Sequence, residues 1–400
     1  MSSNARLHRR RQVGSGVFAP LVDPGPELTA AQARRYARHA LLPGIGTEGQ
    51  RRLLNAKVLV VGAGGLGSPA LLYLAAAGVG TLGIIDDDVV DESNLQRQVI
   101  HGVADIGVPK VDSAAESVAR IDPAIRVITH DERLTVDNAL DVLGGYDLVL
   151  DGTDNFATRY LVADACEILG TPCVWGAILR FDGQVSVFWP GRGPLYRDIF
   201  GTPPDQRLVP SCAEAGVFGV LCASIGAAMG TEAVKVIAGV GRSLVGRFLV
   251  YDALAATWDE LPVRPDPTRT PVTRLEPVEF ACSAPGTPGA AGEARPTGSE
   301  VDVAEFDDLL ARHARGEIDL DVVDVREPVE YAAGHIEGVR LVPKDEILSG
   351  RIELPRERPV LLYCAGGVRS GAVLDRLLAA GHTDVRHLIG GYDAWSRARP

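Results

Sequence analysis

Cysteine is scarce in this chain: six residues in 400 (Cys166, Cys173, Cys212, Cys222, Cys282 and Cys364), none of them paired as Cys-x-x-Cys. That excludes a disulfide framework and predicts reduced thiols, each either a small buried hydrophobe or a reactive group. Long apolar runs are also missing, none approaching the roughly 20 residues that span a bilayer, so a membrane protein is not expected. An excess of positive charge is absent too. The formal net charge is −12, which argues against nucleic acid and other polyanionic partners. Arg6, Arg9, Arg10 and Arg11 are followed by no apolar stretch of the secretory kind, so a cytoplasmic protein is expected, with residues 1–26 a disordered solvated arm.

What is present is an ordinary globular composition, 46% hydrophobic, in a chain longer than one core usually needs; two domains are expected. Prolines crowd from Pro262 to Pro296, and Pro285 to Gly298 is the least structured stretch. This divides the chain into a domain at 27–262, a Pro/Gly-rich linker at 263–299 and a smaller domain at 300–400. In the first, runs rich in branched residues (Lys57 to Val61, Thr81 to Ile85, Arg126 to Thr129, Asp147 to Leu150) alternate with helical patterns (Ser68 to Ala77, Lys110 to Arg120, Asn155 to Leu169). That alternation predicts an α/β fold with parallel strands. A stripe of Ile225, Met229, Ala233 and Ile237 reads as the core face of a later helix. The second domain alternates as well, with strands at Leu320 to Val325 and Val360 to Tyr363 and a helix at Arg369 to Ala380.

The first strand runs into Gly62-Ala-Gly64-Gly65-Leu-Gly67 and then a helix, the setting in which backbone N–H groups approach phosphates. Asp86 ends the next strand, 19 residues after Gly67, where a carboxylate can accept from a ribose hydroxyl. These two features alone fit a dinucleotide-binding dehydrogenase. Beyond them, Asn94, Arg97, Gln98 and Lys110 add an amide pair and two cations, which a triphosphate needs and a nicotinamide does not. Asp154, after the strand Asp147 to Leu150, is an oxygen ligand suited to Mg²⁺, or else a cap for the following helix.

Together with Arg35-Tyr36-Ala-Arg38, Asp86-x-Asp88, Asn94-Leu-Gln-Arg97-Gln98, Pro109-Lys110 and Thr153-Asp154-Asn155, these residues resemble the MoeB/ThiF group of ubiquitin-activating-like adenylyltransferases. The resemblance implies a Rossmann-like nucleotide-binding domain in which Gly62, Gly64, Gly65, Gly67, Asp86, Asn94, Arg97, Gln98 and Lys110 hold ATP and Asp154 holds Mg²⁺. It implies a homodimer, with Arg38 reaching the other subunit's site as an arginine finger. Cys212, which follows the breaker-rich loop Gly201 to Pro210, lies where the family handles the activated carrier covalently. Most relatives hold a structural zinc with two Cys-x-x-Cys pairs; the place of the first here reads Pro194-Leu-Tyr-Arg-Asp198, so no zinc site is expected and the anchoring of residues 190 to 270 is left open.

Near the other end, strand Val360 to Tyr363 delivers Cys364 into Ala-Gly-Gly-Val-Arg369-Ser370 before a helix begins. Converging N–H groups and a helix dipole favour an anionic sulfur there, which can hold a persulfide while Arg369 adds positive charge. With Asp324-Val-Arg326 and Glu330-Tyr-x-x-Gly334-His335 upstream, residues 300–400 resemble rhodanese sulfurtransferases, and Asp324, Arg326 and His335 are expected to brace the fold. A Cys-based phosphatase would need one more residue than Cys364-x4-Arg369 supplies. The whole chain is similar to fusions of the MoeZ type. That resemblance implies a small ubiquitin-like sulfur carrier ending in Gly-Gly as partner, a sulfur donor such as thiosulfate or a cysteine desulfurase, and neither nucleic acid nor membrane. Two rival readings are an NAD-dependent oxidoreductase fused to a rhodanese, and a catalytically silent carrier-binding scaffold joined to an active rhodanese.

Overall fold

The computed structural model describes residues 18–201, 203, 216–277 and 298–399, which fall into two compact units, one on each side of residues 278–297. The first is a single eight-stranded sheet, its strands in the order β3-β2-β1-β4-β5-β6-β7-β8. The strands are β1 Lys57–Val61, β2 Thr81–Ile85, β3 Arg126–His130, β4 Leu148–Asp151, β5 Cys173–Leu179, β6 Asp182–Phe188, β7 Arg247–Asp252 and β8 Thr257–Pro262. The first five run parallel, as branched apolar runs separated by helices require.

Alternation along β1 divides the core. Val58 and Val60 face the helices Gly67–Ala77, Lys110–Ile121 and Gly219–Ala238, while Leu59 and Val61 face Ala139–Leu143 and Phe156–Leu169. Register then sets the site: Val61 pairs with both Ile85 and Asp151, so β1, β2 and β4 end level. Strand order reverses between β1 and β4, and the crevice at such a reversal is where open α/β sheets take ligands.

Four findings depart from the sequence reading. Strands β6 to β8 extend the sheet beyond β5 as a meander, each antiparallel to the strand before it, and the alternating-helix pattern gave no sign of them. The helix Gly219–Ala238 is 20 residues long and apolar enough, by length and composition, to cross a membrane; its apolarity is that of a core helix, with Leu221, Ile225, Met229 and Ile237 buried against the sheet. Residues 18–26, expected in the disordered arm, are laid on the domain: Phe18 and Leu21 pack against the core, Leu21 N donates to Val236 O, and Gly25 N donates to Arg51 O.

The fourth departure concerns residues 263–277, expected in the linker, which are clamped to the first unit. Arg269 donates from Nε to Asp198 at 2.7 Å and from Nη1 to Glu167 at 2.9 Å, and Val272 N donates to Glu167 at 3.2 Å. Close by, Arg197 grips Asp164 with both arms of its guanidinium at 2.5 and 2.7 Å. Asp198, in the segment Pro194 to Asp198, is thus part of an ion-pair cluster.

The second unit is a five-stranded parallel sheet in the order β11-β10-β12-β13-β9. Its strands are β9 Glu300–Val301, β10 Asp321–Asp324, β11 Arg340–Leu341, β12 Val360–Tyr363 and β13 Val385–Leu388. Helices Val303–Ala314, Lys344–Leu348, Val368–Ala379 and Gly391–Arg397 build apolar clusters on its two faces.

Candidate active sites

One crevice at the ends of β1, β2 and β4 is lined by Gly62, Gly64, Gly65, Asp86, Asp88, Arg97, Gln98, Lys110, Thr153, Asp154 and Arg159. Gly67 stands behind this lining. A Cβ there would sit 1.9 Å from the Gly62 carbonyl oxygen, so only glycine lets the helix Gly67–Ala77 start so close to the end of β1. Asp86 braces the loop, accepting from Ala63 N at 2.8 Å and from Asp88 N at 3.0 Å. Burial pushes its carboxyl above the ordinary aspartate value, and Lys110 and those two N–H groups pull the other way.

Lys110 begins its helix directly after Pro109, and a bridge between Pro109 and Val89 brings the two segments together. Its Nζ lies 2.7 Å from Asp88 with the side chain almost fully buried, so it is no solvated helix start. Gln98 is buried too, and its Oε1 is without a hydrogen-bond partner among the described residues, a polar atom on the wall of the crevice that a ligand donor would satisfy. Asn94 is used elsewhere: it closes the turn Asp91–Asn94, accepting from Asp91 N, and does not line the crevice. Arg97 lines it, with Nη1 donating to Ser93 O at 3.0 Å.

Asp154 is exposed at the mouth. The cap of the helix Phe156–Leu169 is its neighbour Asn155, whose Oδ1 accepts from Thr158 N at 2.9 Å, so the Asp154 carboxylate is left for another use. The turn that carries it is gripped from both sides. Fully buried Asp151 accepts from Thr153 N and Oγ1, and Arg159 donates from Nε and Nη2 to Thr153 O. Burial raises the Asp151 carboxyl above its ordinary value, opposed first by the Arg159 charge. Neither residue was read from the sequence as part of the site, because each acts through a neighbour's backbone.

Arg38 is exposed, does not line this crevice, and has no ion-pair partner among the described residues. Its segment is anchored by Tyr36, whose ring fills the space over Gly78 and whose hydroxyl donates to Asp122 at 2.8 Å. Burial, with Asp122, pushes that phenol up to about 12. Cys212 and Cys282 lie outside the described residues. Cys166, Cys173 and Cys222 are buried, as expected of thiols inside regular elements.

In the second unit β12 delivers Cys364 into a fully buried position. Gly367, at φ +92°, turns its N–H onto the sulfur at 3.1 Å, and Ser370 Oγ lies 3.5 Å from it. Arg369 has a carboxylate partner that the sequence reading did not include. Its two Nη atoms are each 2.6 Å from Glu330 in a bidentate pair, so its charge braces the loop against the helix Pro328–Ala333. Burial alone would raise Glu330; Arg369 and the Glu327 N–H outweigh it and hold the carboxyl below its ordinary value. Asp324 and Arg326 brace the fold as expected, with Arg326 also donating to Gly334 O at 2.7 Å and lying over the Tyr392 ring.

Residues 36–272 match the model of the ThiF family, more than half of the chain. The chain belongs to the ThiF family. Behind this ThiF part, residues 305–398 match the rhodanese-like domain. Over 384 residues the chain is 50% identical to the "Probable adenylyltransferase/sulfurtransferase MoeZ" of Mycobacterium tuberculosis, covering 94% of this chain and 96% of that one. The ThiF part is 51% identical over 256 residues to the sulfur carrier protein adenylyltransferase of Thermus thermophilus, covering 63% of this chain and 94% of the relative. The crystal structure of E. coli MccB with ATP superposes with a TM-score of 0.54 at 20% identity, covering 60% of this chain and 74% of that one, a likeness of fold. The chain is an enzyme, an ATP-dependent adenylyltransferase joined to a sulfurtransferase.

Proposed function

We propose that the ThiF unit adenylates the C-terminal Gly-Gly carboxylate of a small ubiquitin-like sulfur carrier protein and that the rhodanese-like unit then supplies the sulfur from Cys364. The observation that carries this reading is the convergence on one crevice of a glycine loop, the cations Lys110 and Arg97, and the exposed carboxylate of Asp154. A nicotinamide has no use for those cations beside it. They suit the oxygens of a triphosphate under in-line attack.

The ribose would meet Asp86 and the phosphates the N–H groups of the glycine loop, Gln98, Arg97 and Lys110. Asp154, which lines the same crevice as Asp86, Asp87 and Asp88, suits Mg²⁺, which would neutralise phosphate oxygens when bound. Asp151 and Arg159 hold Asp154 in place. Beside Asp154 an apolar cavity of about 420 Å³, walled by Phe156, Trp175, Tyr196 and Phe200, would receive the carrier tail. Its carboxylate oxygen attacks the α-phosphorus, the bond to pyrophosphate breaks, and an acyl-adenylate forms. Arg38 serves as an arginine finger from the second subunit of a homodimer.

Cys364, loaded as a persulfide by thiosulfate or a cysteine desulfurase, attacks the acyl carbon through its terminal sulfur and AMP departs. A thiol, for which Cys212 is the candidate, then attacks Sγ of Cys364. The carrier thiocarboxylate leaves, and the resulting disulfide is reduced by external thiol.

ATP–pyrophosphate exchange and mass spectrometry of the carrier test the two halves. Asp154→Ala should abolish both exchange and thiocarboxylate formation; Cys364→Ala should keep exchange and lose only the thiocarboxylate. Binding of NAD with no exchange activity would overturn the first half, and undiminished thiocarboxylate formation by Asp154→Ala would make the ThiF unit a mere scaffold.

A further inference from the structure

Cys364 belongs to a buried chain of polar side chains that continues beyond the loop. Ser370 Oγ, 3.5 Å from the sulfur, lies 3.2 Å from Nδ1 of His387 and 3.1 Å from the carbonyl of Gly367. Nε2 of His387 in turn faces a carboxylate oxygen of Glu300 at 3.7 Å. Cys364 and Ser370 are fully buried and His387 is 5% exposed. Three separate elements supply the members. Cys364 follows β12, Ser370 stands in the first turn of the helix Val368–Ala379, and His387 is on β13, in register with Leu362 of β12.

One hydroxyl proton has to serve three neighbours. Gly367 O can only accept, and the sulfur accepts once it is anionic, so the role of the histidine decides where the hydroxyl points. With a proton on Nε2 toward Glu300, Nδ1 is an acceptor and the Ser370 hydroxyl turns to it. With a proton on Nδ1 as well, the imidazolium donates to Ser370 Oγ and the hydroxyl is released toward the sulfur. The chain is therefore continuous in two arrangements, thiol with neutral imidazole and thiolate with imidazolium, and a shift of two protons along it converts one into the other.

We propose that Ser370 and His387 relay the proton of Cys364 when the sulfur becomes a nucleophile. The S–H bond breaks as its proton passes to Ser370 Oγ, and the original Oγ–H bond breaks as that proton passes to His387 Nδ1. The sulfur keeps the bonding pair, and the imidazolium stays beside Glu300. His387 is thus a positioning and proton-holding residue behind the loop, and Arg369, committed to Glu330, braces the loop from the other flank. The charges around the relay are Glu300 from β9, Arg369 from the helix Val368–Ala379 with Glu330 from the helix Pro328–Ala333, and Arg386, next to His387 on β13, which pairs with Asp384 and Glu305. This inference rests on Cys364 being the sulfur-carrying nucleophile.

In the full-length protein, alkylation of Cys364 by iodoacetamide, followed by mass spectrometry of its peptide, reads the relay at neutral and at strongly alkaline pH. His387→Gln and Ser370→Ala should each slow the neutral reaction by roughly tenfold, because less of the sulfur is then present as the reactive thiolate. Both should leave the alkaline rate alone, because hydroxide then removes the proton directly. Ser370→Thr, which keeps the hydroxyl, should retain the parent ratio of the two rates, and the double variant should be no slower than either single one. An unchanged ratio in Ser370→Ala or His387→Gln, or a fall of both rates together, overturns the relay. Persistence of thiosulfate-to-cyanide sulfur transfer in Cys364→Ala would instead overturn the underlying role of Cys364, a separate result from the alkylation ratio.

Discussion

His101 supports the nucleotide loop from beneath, with Nε2 3.0 Å from the Ala63 carbonyl and Nδ1 2.8 Å from Ser113 Oγ. Burial, helped by Lys110, holds it below the ordinary imidazole value. As pH falls the unfolded chain therefore takes up the proton first, and stability present above about pH 6.5 is lost below it. Urea midpoints should decline between about pH 7 and pH 5, and His101→Gln should flatten that decline. Lys110 acts at the same scale on the ligand. Removing its charge in Lys110→Met should weaken ATP binding by roughly ten- to a hundredfold, measured by calorimetry, the range set by one charge-assisted contact of about 1.5–3 kcal/mol.

Among the elements, the segment 263–277 is held by a few ion pairs together with the packing of Val263 and Leu275 against the core. The Glu167 and Asp198 side chains are 10% and 3% exposed, and Arg269 answers both. Arg269→Met leaves two mostly buried carboxylates without their cation and should cost about 3 kcal/mol in urea unfolding of the ThiF unit. A loss below about 0.5 kcal/mol, typical of a surface pair, would mean the cluster does not anchor the segment. The level ends of β1, β2 and β4 work the other way: they need no special residue, since a one-step change of register would exchange the two rows of side chains between two differently packed faces.

Across the whole molecule, two chemistries occupy two compact units with separate cores. Their requirements differ, so they should be separable without mutation. Chelation of Mg²⁺ should stop ATP–pyrophosphate exchange and leave thiosulfate-to-cyanide sulfur transfer at its starting rate; parallel loss of both would contradict the assignment of the metal to the Asp154 side.

The parallel strands, the glycine loop, Asp86, Lys110, Asp154 and the Cys364 loop were legible because each is local: a period of two or of 3.6, a breaker, a short motif at a strand end. Tertiary structure alone decided which of these side chains meet. Arg269 answers Asp198 and Glu167 across 71 and 102 residues of chain, and Arg369 finds Glu330 across 39. His387 reaches Ser370 from the strand beside β12. Such pairs leave no periodic trace, since their energy comes from burial that exists only once strands and helices have packed.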